Sequence, residues 1–173
     1  MKRTVLTIVI SLFFFSFSFG QSDTIKTLKK IPSVEIKDLE GNVFNTADIQ
    51  NDGSPIILDF WSTTCKPCIK ELMALDENYA DWQEETGVKI FIVATDGARS
   101  MNNVAPFVNG KGWAFVTLLD PNSDFKRAMG VIDIPHTFVI DGDGNIVHEH
   151  TAYTEGDEEQ YYEILLELTE NKE

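Results

Sequence analysis

Residues 56–71 read IILDFWSTTCKPCIKE, an apolar run that leads straight into the only two cysteines of the 173-residue chain. Cys65 and Cys68 are separated by Lys66 and Pro67. A disulfide across so short a loop restricts the unfolded chain little and does not staple a fold. The spacing suits a redox switch, in which one sulfur attacks and its neighbour resolves. Ile56-Ile57-Leu58 and Phe60-Trp61 form the short apolar run of a buried strand. From Cys68 onward the apolar residues Leu72, Leu75, Tyr79 and Trp82 recur at steps of three and four, one face of a helix. Pro67 falls in the first helical turn, where its missing N–H costs nothing. Cys65 then stands at a helix N-terminus, where free N–H groups and the macrodipole favour a thiolate. The ammonium of Lys66 pushes the same way. Cys68, one turn in, is the more buried and resolving sulfur.

Two other uses of a CxxC pair are set against this one. Half of a zinc site would need His148 and His150 as the other half, but the gap of roughly eighty residues is far from zinc-finger spacing. A vestigial pair in a non-catalytic peptide-binding domain is the other alternative, which loss of Cys65 would not impair. Asp59 adds to the redox reading: a carboxylate inside an apolar strand costs several kcal/mol unless paired or neutral. A buried carboxyl has a raised pKa, so it can exchange a proton with a thiol near neutrality.

LDFWSTTCKPC resembles the thioredoxin active-site segment, and CIKEL directly after it resembles the exported branch related to TlpA and ResA. The similarity runs from about Ile31 to Leu168, with one departure: Thr64 stands where a tryptophan usually precedes the first cysteine. The resemblance implies an α/β, thioredoxin-like fold, a central mixed β-sheet flanked by helices, with an N-terminal β-hairpin extension and a central helical insertion. It implies thiol–disulfide oxidoreductase activity with Cys65 as nucleophile and Cys68 resolving. Asp59, six residues before Cys65, matches the carboxylate beneath the thioredoxin disulfide. Glu71, three after Cys68, matches the acidic residue linked to thiol reactivity in the ResA-like branch; alone it is also a favourable first-turn acid. Pro135, ahead of the apolar run 136–140, matches the family's cis-proline, with Ile134 free to pair with substrate backbone. Trp61 and Pro135 are expected to frame the docking groove, and His136 to contact substrate or tune the thiol. Lys66 and Pro67 set the redox balance, and a proline before Cys68 is the pattern of reducing thioredoxins. The redox group is the Cys65–Cys68 pair itself, with no bound cofactor or metal. A peroxiredoxin pattern fails: it needs a proline where Leu58 stands, although Ser62 fits its Thr/Ser position.

The rest of the chain is consistent with one domain plus an export segment. Met1-Lys2-Arg3 is a short positive region, Thr4–Phe19 is uncharged, and Ser18-Phe19-Gly20 offers a small-x-small cut. Residues 1–20 therefore read as a signal peptide, with an uncleaved membrane anchor as the alternative. Residues 21–30 read as a linker and 31–173 as the thioredoxin-like domain. An exported vicinal pair needs a redox supplier, so a membrane thiol-transfer protein and exported client proteins are the expected partners, in the periplasm. Cytochrome c maturation is one task of the branch. The chain carries 14 Lys+Arg against 28 Asp+Glu. Without Lys2 and Arg3 the balance is 12 against 28, a net of about −16, which repels nucleic acid and anionic membrane faces.

Further elements follow from local signals. Residues 32–37 and 43–44 form a hairpin, and Thr46 caps a short turn. Gly87 ends the active-site helix, and 88–95 is a second buried strand. A βαβ unit results, whose site lies at the C-terminal strand ends. Helices are expected over 100–108, 123–129 and 157–169, and strands over 115–119 and 145–150. Asp141-Gly142-Asp143-Gly144-Asn145 is not an EF-hand, because Ile146 and Ala152 occupy its glycine and glutamate places; it reads as a hairpin turn.

Overall fold

The computed structural model describes residues 29–170, so the expected signal peptide and most of the linker lie outside the described residues. Seven strands form one sheet: β1 (Glu35–Asp38), β2 (Val43–Asn45), β3 (Ile56–Trp61), β4 (Lys89–Ala94), β5 (Val116–Leu119), β6 (His136–Ile140) and β7 (Ile146–Thr151). Their order is β2-β1-β5-β4-β3-β6-β7. The β3–β4 and β4–β5 pairs are parallel, and β1, β6 and β7 join antiparallel. The helices among the described residues are α1 (Lys66–Thr86), α2 (Val104–Lys111), α3 (Asp124–Met129) and α4 (Asp157–Glu170).

Alternation along the strands sorts the core into two layers. Ile57 and Trp61 of β3, Ile90 and Ile92 of β4 and Val139 of β6 face α1 and α4, where Leu72, Leu75, Tyr79, Trp82, Tyr161 and Leu165 meet them. Leu58, Phe60, Phe91, Val93, Phe138 and Ile140 face α3, against Phe125 and Met129. The helical stripe expected from sequence is thus the buried stripe of α1. Full burial of Leu72 and Leu75 is worth about 1.5–3 kcal/mol each.

Local details differ from the expectations in instructive ways. The turn over Thr46–Asp48 is capped by Asn45, whose Oδ1 accepts from Ala47 N at 2.9 Å. Thr46 is occupied elsewhere: its hydroxyl donates to Pro32 O at 2.5 Å and accepts from Val34 N at 2.8 Å. The insertion helix starts later than expected, after a 3-10 turn over Met101–Asn103, with Pro106 in its first turn. Lys29 and Lys30, read as linker, are tied to the fold: Ile146 N donates to Lys29 O at 2.8 Å, and Lys30 bridges to Asn145. In the β6–β7 turn, Asp141 accepts from the N–H groups of Asp143 and Asn145, an arrangement that closes a hairpin.

Gly87 ends α1 in the left-handed region, φ +68°, with its N–H donating to Gln83 O at 3.0 Å. A Cβ at Gly87 would lie 3.1 Å from Ser54 Oγ, whereas one at Gly112, at φ +74°, would meet nothing. Both Gly87→Ala and Gly112→Ala should cost about 1–2 kcal/mol for the backbone conformation. Gly87→Ala should lose more, and urea unfolding of the two variants checks the difference.

Candidate functional site

The site lies at the C-terminal end of β3, where the chain turns through Ser62-Thr63-Thr64 into α1. Asp96, buried just past β4, holds that turn with both oxygens. Thr63 N donates to its Oδ2 at 2.9 Å and the Thr63 hydroxyl to its Oδ1 at 2.5 Å. Cys65 is the N-cap of α1, and its Sγ accepts from Cys68 N at 3.3 Å. The helix N-terminus therefore points an N–H at this sulfur, which favours negative charge on it. Cys65 is half-buried and Cys68 fully buried, and the two form a disulfide. Lys66 and Pro67 between them are exposed. The Ile134–Pro135 bond is cis, and Ile134 O lies 3.8 Å from Cys65 Sγ.

On the helix side of the sheet, which also buries Cys68, lie two fully buried carboxyls, Asp59 and Glu71. Both positions follow from periodicity. Asp59 lies between Ile57 and Trp61 on the face of β3 that meets α1. Glu71 lies one turn after Cys68 on the inward side of the helix. The antiparallel register of β3 with β6 sets Thr137 directly opposite Asp59. Its Oγ1 is 3.0 Å from Asp59 Oδ2 and 2.6 Å from Glu71 Oε1. Tyr161 of α4 donates to the same Glu71 Oε1 at 3.0 Å. Asp59 Oδ1 and Glu71 Oε2 have no partner among the described residues. Burial raises the Asp59 pKa well above the carboxylate range, and the neighbouring Glu71 charge raises it further. Burial also pushes Glu71 up to about 7, against the hydrogen bonds from Thr137 and Tyr161.

A sulfur at a helix start, its buried partner one turn on, and proton-holding carboxyls on the same side of the sheet make a dithiol–disulfide couple. Comparisons with known proteins bear on the same point. Residues 27–149 match the AhpC/TSA family. The chain is 32% identical over 151 residues to the thiol-disulfide oxidoreductase ResA of Bacillus cereus, covering 87% of this chain and 83% of that one. The chain belongs to the AhpC/TSA family, among its ResA-like thiol–disulfide oxidoreductases. An uncharacterized thioredoxin-like protein from Porphyromonas gingivalis is 45% identical and superposes with a TM-score of 0.75, over 83% of this chain and 94% of that one. A putative thiol:disulfide interchange protein DsbE from Chlorobium tepidum, 24% identical, shares the fold with a TM-score of 0.71 over 82% of this chain and 96% of that one. The chain is a thioredoxin-fold enzyme whose redox group is its own Cys65–Cys68 disulfide.

Two of the expected groove residues are placed differently from their family roles. Trp61 does not frame a groove: it is fully buried, with Phe107 and Trp113 of the insertion region at ring distances of 5.7 and 5.6 Å. Its face is the helix side of the sheet, where the insertion covers it. His136 is turned to the sheet face opposite Asp59, because strand side chains alternate. There its ring lies 4.6 Å from Phe138, with Nε2 3.0 Å from Glu149 Oε1 and Nδ1 3.1 Å from the Thr151 hydroxyl. The residue on the site face is the next one, Thr137, which sequence reasoning passed over. The signal was there: period two from Pro135 selects 137, not 136. Tyr161 was read only as part of a buried stripe, and the Thr63–Asp96 clamp was not foreseen. His148 and His150 share a face as expected, rings 6.3 Å apart, with His150 Nε2 3.1 Å from Asp157 Oδ2.

A carboxyl with a raised folded pKa binds its proton more tightly folded than unfolded. Its stabilising contribution is present below the unfolded value and is lost as pH rises through the folded one. For Glu71 that window runs from 4.5 to about 7. The unfolding free energy should therefore fall across it by about 3 kcal/mol. Urea titrations across the window should show this slope in the wild type and a flatter one in Glu71→Gln.

Proposed function

We propose that this enzyme reduces or exchanges disulfides in exported client proteins, in the periplasm, and is itself re-reduced by a membrane thiol-transfer protein. The observation that carries the reading is the asymmetry of the two sulfurs: Cys65 is half-buried and served by the helix N-terminus, whereas Cys68 is fully buried, one helical turn before the buried Glu71. The relatives' thiol–disulfide oxidoreductase activity supports it. No helix among the described residues is long and apolar enough to cross a membrane, which agrees with a domain that meets clients in solution or tethered by its leader.

In the reducing direction the Cys65 thiolate attacks a client disulfide. One client sulfur leaves as thiolate and takes up a proton, and the other becomes bonded to Cys65. Cys68 then loses its proton to the buried carboxyl pair and attacks Cys65 Sγ. The second client sulfur leaves with its electron pair and is protonated. Two electrons pass to the client and the Cys65–Cys68 disulfide remains. Ile134, with its carbonyl beside Cys65 Sγ, and Pro135, with no N–H to donate, supply the edge on which client backbone aligns. Exposed Thr64, Lys66 and Pro67 form the surrounding contact surface.

Cys65→Ser should abolish reduction of a model disulfide such as insulin's. Cys68→Ser should accumulate a mixed disulfide with the client, visible as a gel shift that reductant reverses. A redox potential of roughly −270 mV would fit a reductant, and one of roughly −120 mV would make the protein a disulfide donor. Survival of insulin reduction in Cys65→Ser would overturn the assignment of the nucleophile. Absence of any reversible couple would leave a non-catalytic peptide-binding module in place of the enzyme.

A further inference from the structure

Hydrogens can be counted at the buried pair. Three oxygen–oxygen contacts link four groups: Thr137 to Asp59, Thr137 to Glu71, and Tyr161 to Glu71. The threonine and the tyrosine supply one hydrogen each. Two ionised carboxylates would leave one of the three contacts as a repulsive meeting of lone pairs, in a compartment that excludes water. The third hydrogen must come from a carboxyl. Donor placement says which one: Glu71 Oε1 is approached by both hydroxyls, at 2.6 and 3.0 Å, whereas Asp59 has only Thr137 at 3.0 Å. Donors stabilise a charged carboxylate, and the buried carboxyl with fewer of them keeps its proton.

We propose that Asp59 and Glu71 work as one unit holding a single proton, which rests on Asp59. In this unit the Thr137 hydroxyl accepts from Asp59 and donates to Glu71, so that Glu71 is the vacant site for the Cys68 proton. This rests on the proposed thiol–disulfide reaction and changes its proton route. Asp59, the carboxyl matching the one beneath the thioredoxin disulfide, is the resting acid, and the acceptor lies one helical turn beyond Cys68. In the resolving step the Cys68 S–H bond breaks, the proton adds to the Glu71 carboxylate, and the freed electron pair forms the bond to Cys65 Sγ. Thr137 is a positioning residue: it touches neither sulfur nor client and acts by fixing where the proton rests.

The surroundings agree with that order. Asp59 is raised first by burial and second by the Glu71 charge, so it stays protonated when Glu71 is ionised. Other titratable groups facing the unit are Tyr161, Tyr153, Asp157 and Glu158. Burial holds both tyrosines neutral, well above their ordinary values, and the two acids disfavour a charge on Glu71. His148 and His150 sit behind Tyr161, with rings 6.1 Å from its ring.

The test uses the oxidised full-length protein and no client, so it does not depend on disulfide exchange. At about pH 8 the exposed carboxyls are ionised, and an infrared carboxylic C=O stretch reports a buried protonated group alone. The band should be present in the wild type, lost in Asp59→Asn and retained in Glu71→Gln. Loss in Glu71→Gln with retention in Asp59→Asn would overturn the assignment, as would no band in the wild type. Thr137→Val removes one of the two donors to Glu71 and should move the Glu71 titration to higher pH, while Thr137→Ser restores it. An unmoved titration in Thr137→Val would overturn the bridging role. A protein that gives the expected bands yet exchanges no disulfide would sink the proposed function and leave the proton unit standing.

Discussion

One buried hydroxyl lying between two buried carboxyls is the constraint on which the site depends. A lone ionised carboxylate in a dry core costs far more than one hydrogen bond returns, and this chain buries two acids together, Asp59 on β3 and Glu71 on the inward side of α1. They are tolerated because three separate elements converge on them. Strand β3 presents Asp59 on its helix side, β6 presents Thr137 in direct register, and α4 brings Tyr161 from across the helix layer. A slip of one residue between β3 and β6 would exchange Thr137 for His136 or Phe138 on that face. The sheet register is therefore also the register of the proton-holding unit. Departures from ordinary burial rules gather where function needs them, and here both gather on the side of the sheet that buries Cys68.

The two sulfurs inhabit unlike environments by construction. Cys65 receives an N–H from the first turn of α1 and reaches the surface, while Cys68 lies wholly inside the helix-side core. The turn that aims Cys65 is held from the neighbouring strand by the two-pronged contact of Asp96 with Thr63. Below the turn, Trp61, Phe107 and Trp113 form an aromatic block that fixes the strand end and the insertion together. Rigid support from both sides suits a group whose chemistry consists of swapping one bond partner for another. Thr64, just before Cys65, is exposed, and its hydroxyl lies 3.3 Å from that of Ser62. The supporting aromatic mass thus lies inside the protein.

Much of this was legible in the chain itself, and the boundary of legibility has a physical form. Periodicity and turn chemistry act over a few residues, so the strand before Cys65, the phase of α1, the stop at Gly87 and the hairpin at Asp141 could be read directly. The two carboxyls stood out because acids inside apolar patterns are costly. Contacts between distant segments were another matter. Thr137 meets Glu71 across 66 positions and Tyr161 meets it across 90, and no local pattern encodes such pairings. Trp61 was misplaced for a related reason: the residues that bury it belong to an insertion whose docking no nearby residue announces. Strand alternation alone puts Thr137 on the face of Asp59 and His136 on the opposite face.

The balance between the two ends of the site also bears on direction. Stabilising the thiolate of the first cysteine stabilises the reduced form and makes a dithiol a stronger oxidant. Here that stabilisation comes from one helix terminus with one N–H on Cys65 Sγ. At Cys68 the influence is opposite, since an ionised Glu71 disfavours a second negative charge nearby. Raising the energy of the reduced form while leaving the disulfide untouched lowers the potential of a couple, which is the direction the proposed reductase role requires. In the proposed resolving step Glu71 accepts the Cys68 proton, and a carboxyl pushed by burial up to about 7 is matched to that task at neutral pH. In the proposed reaction a single buried unit thus bears both on the energy of the reduced form and on the step that completes the exchange.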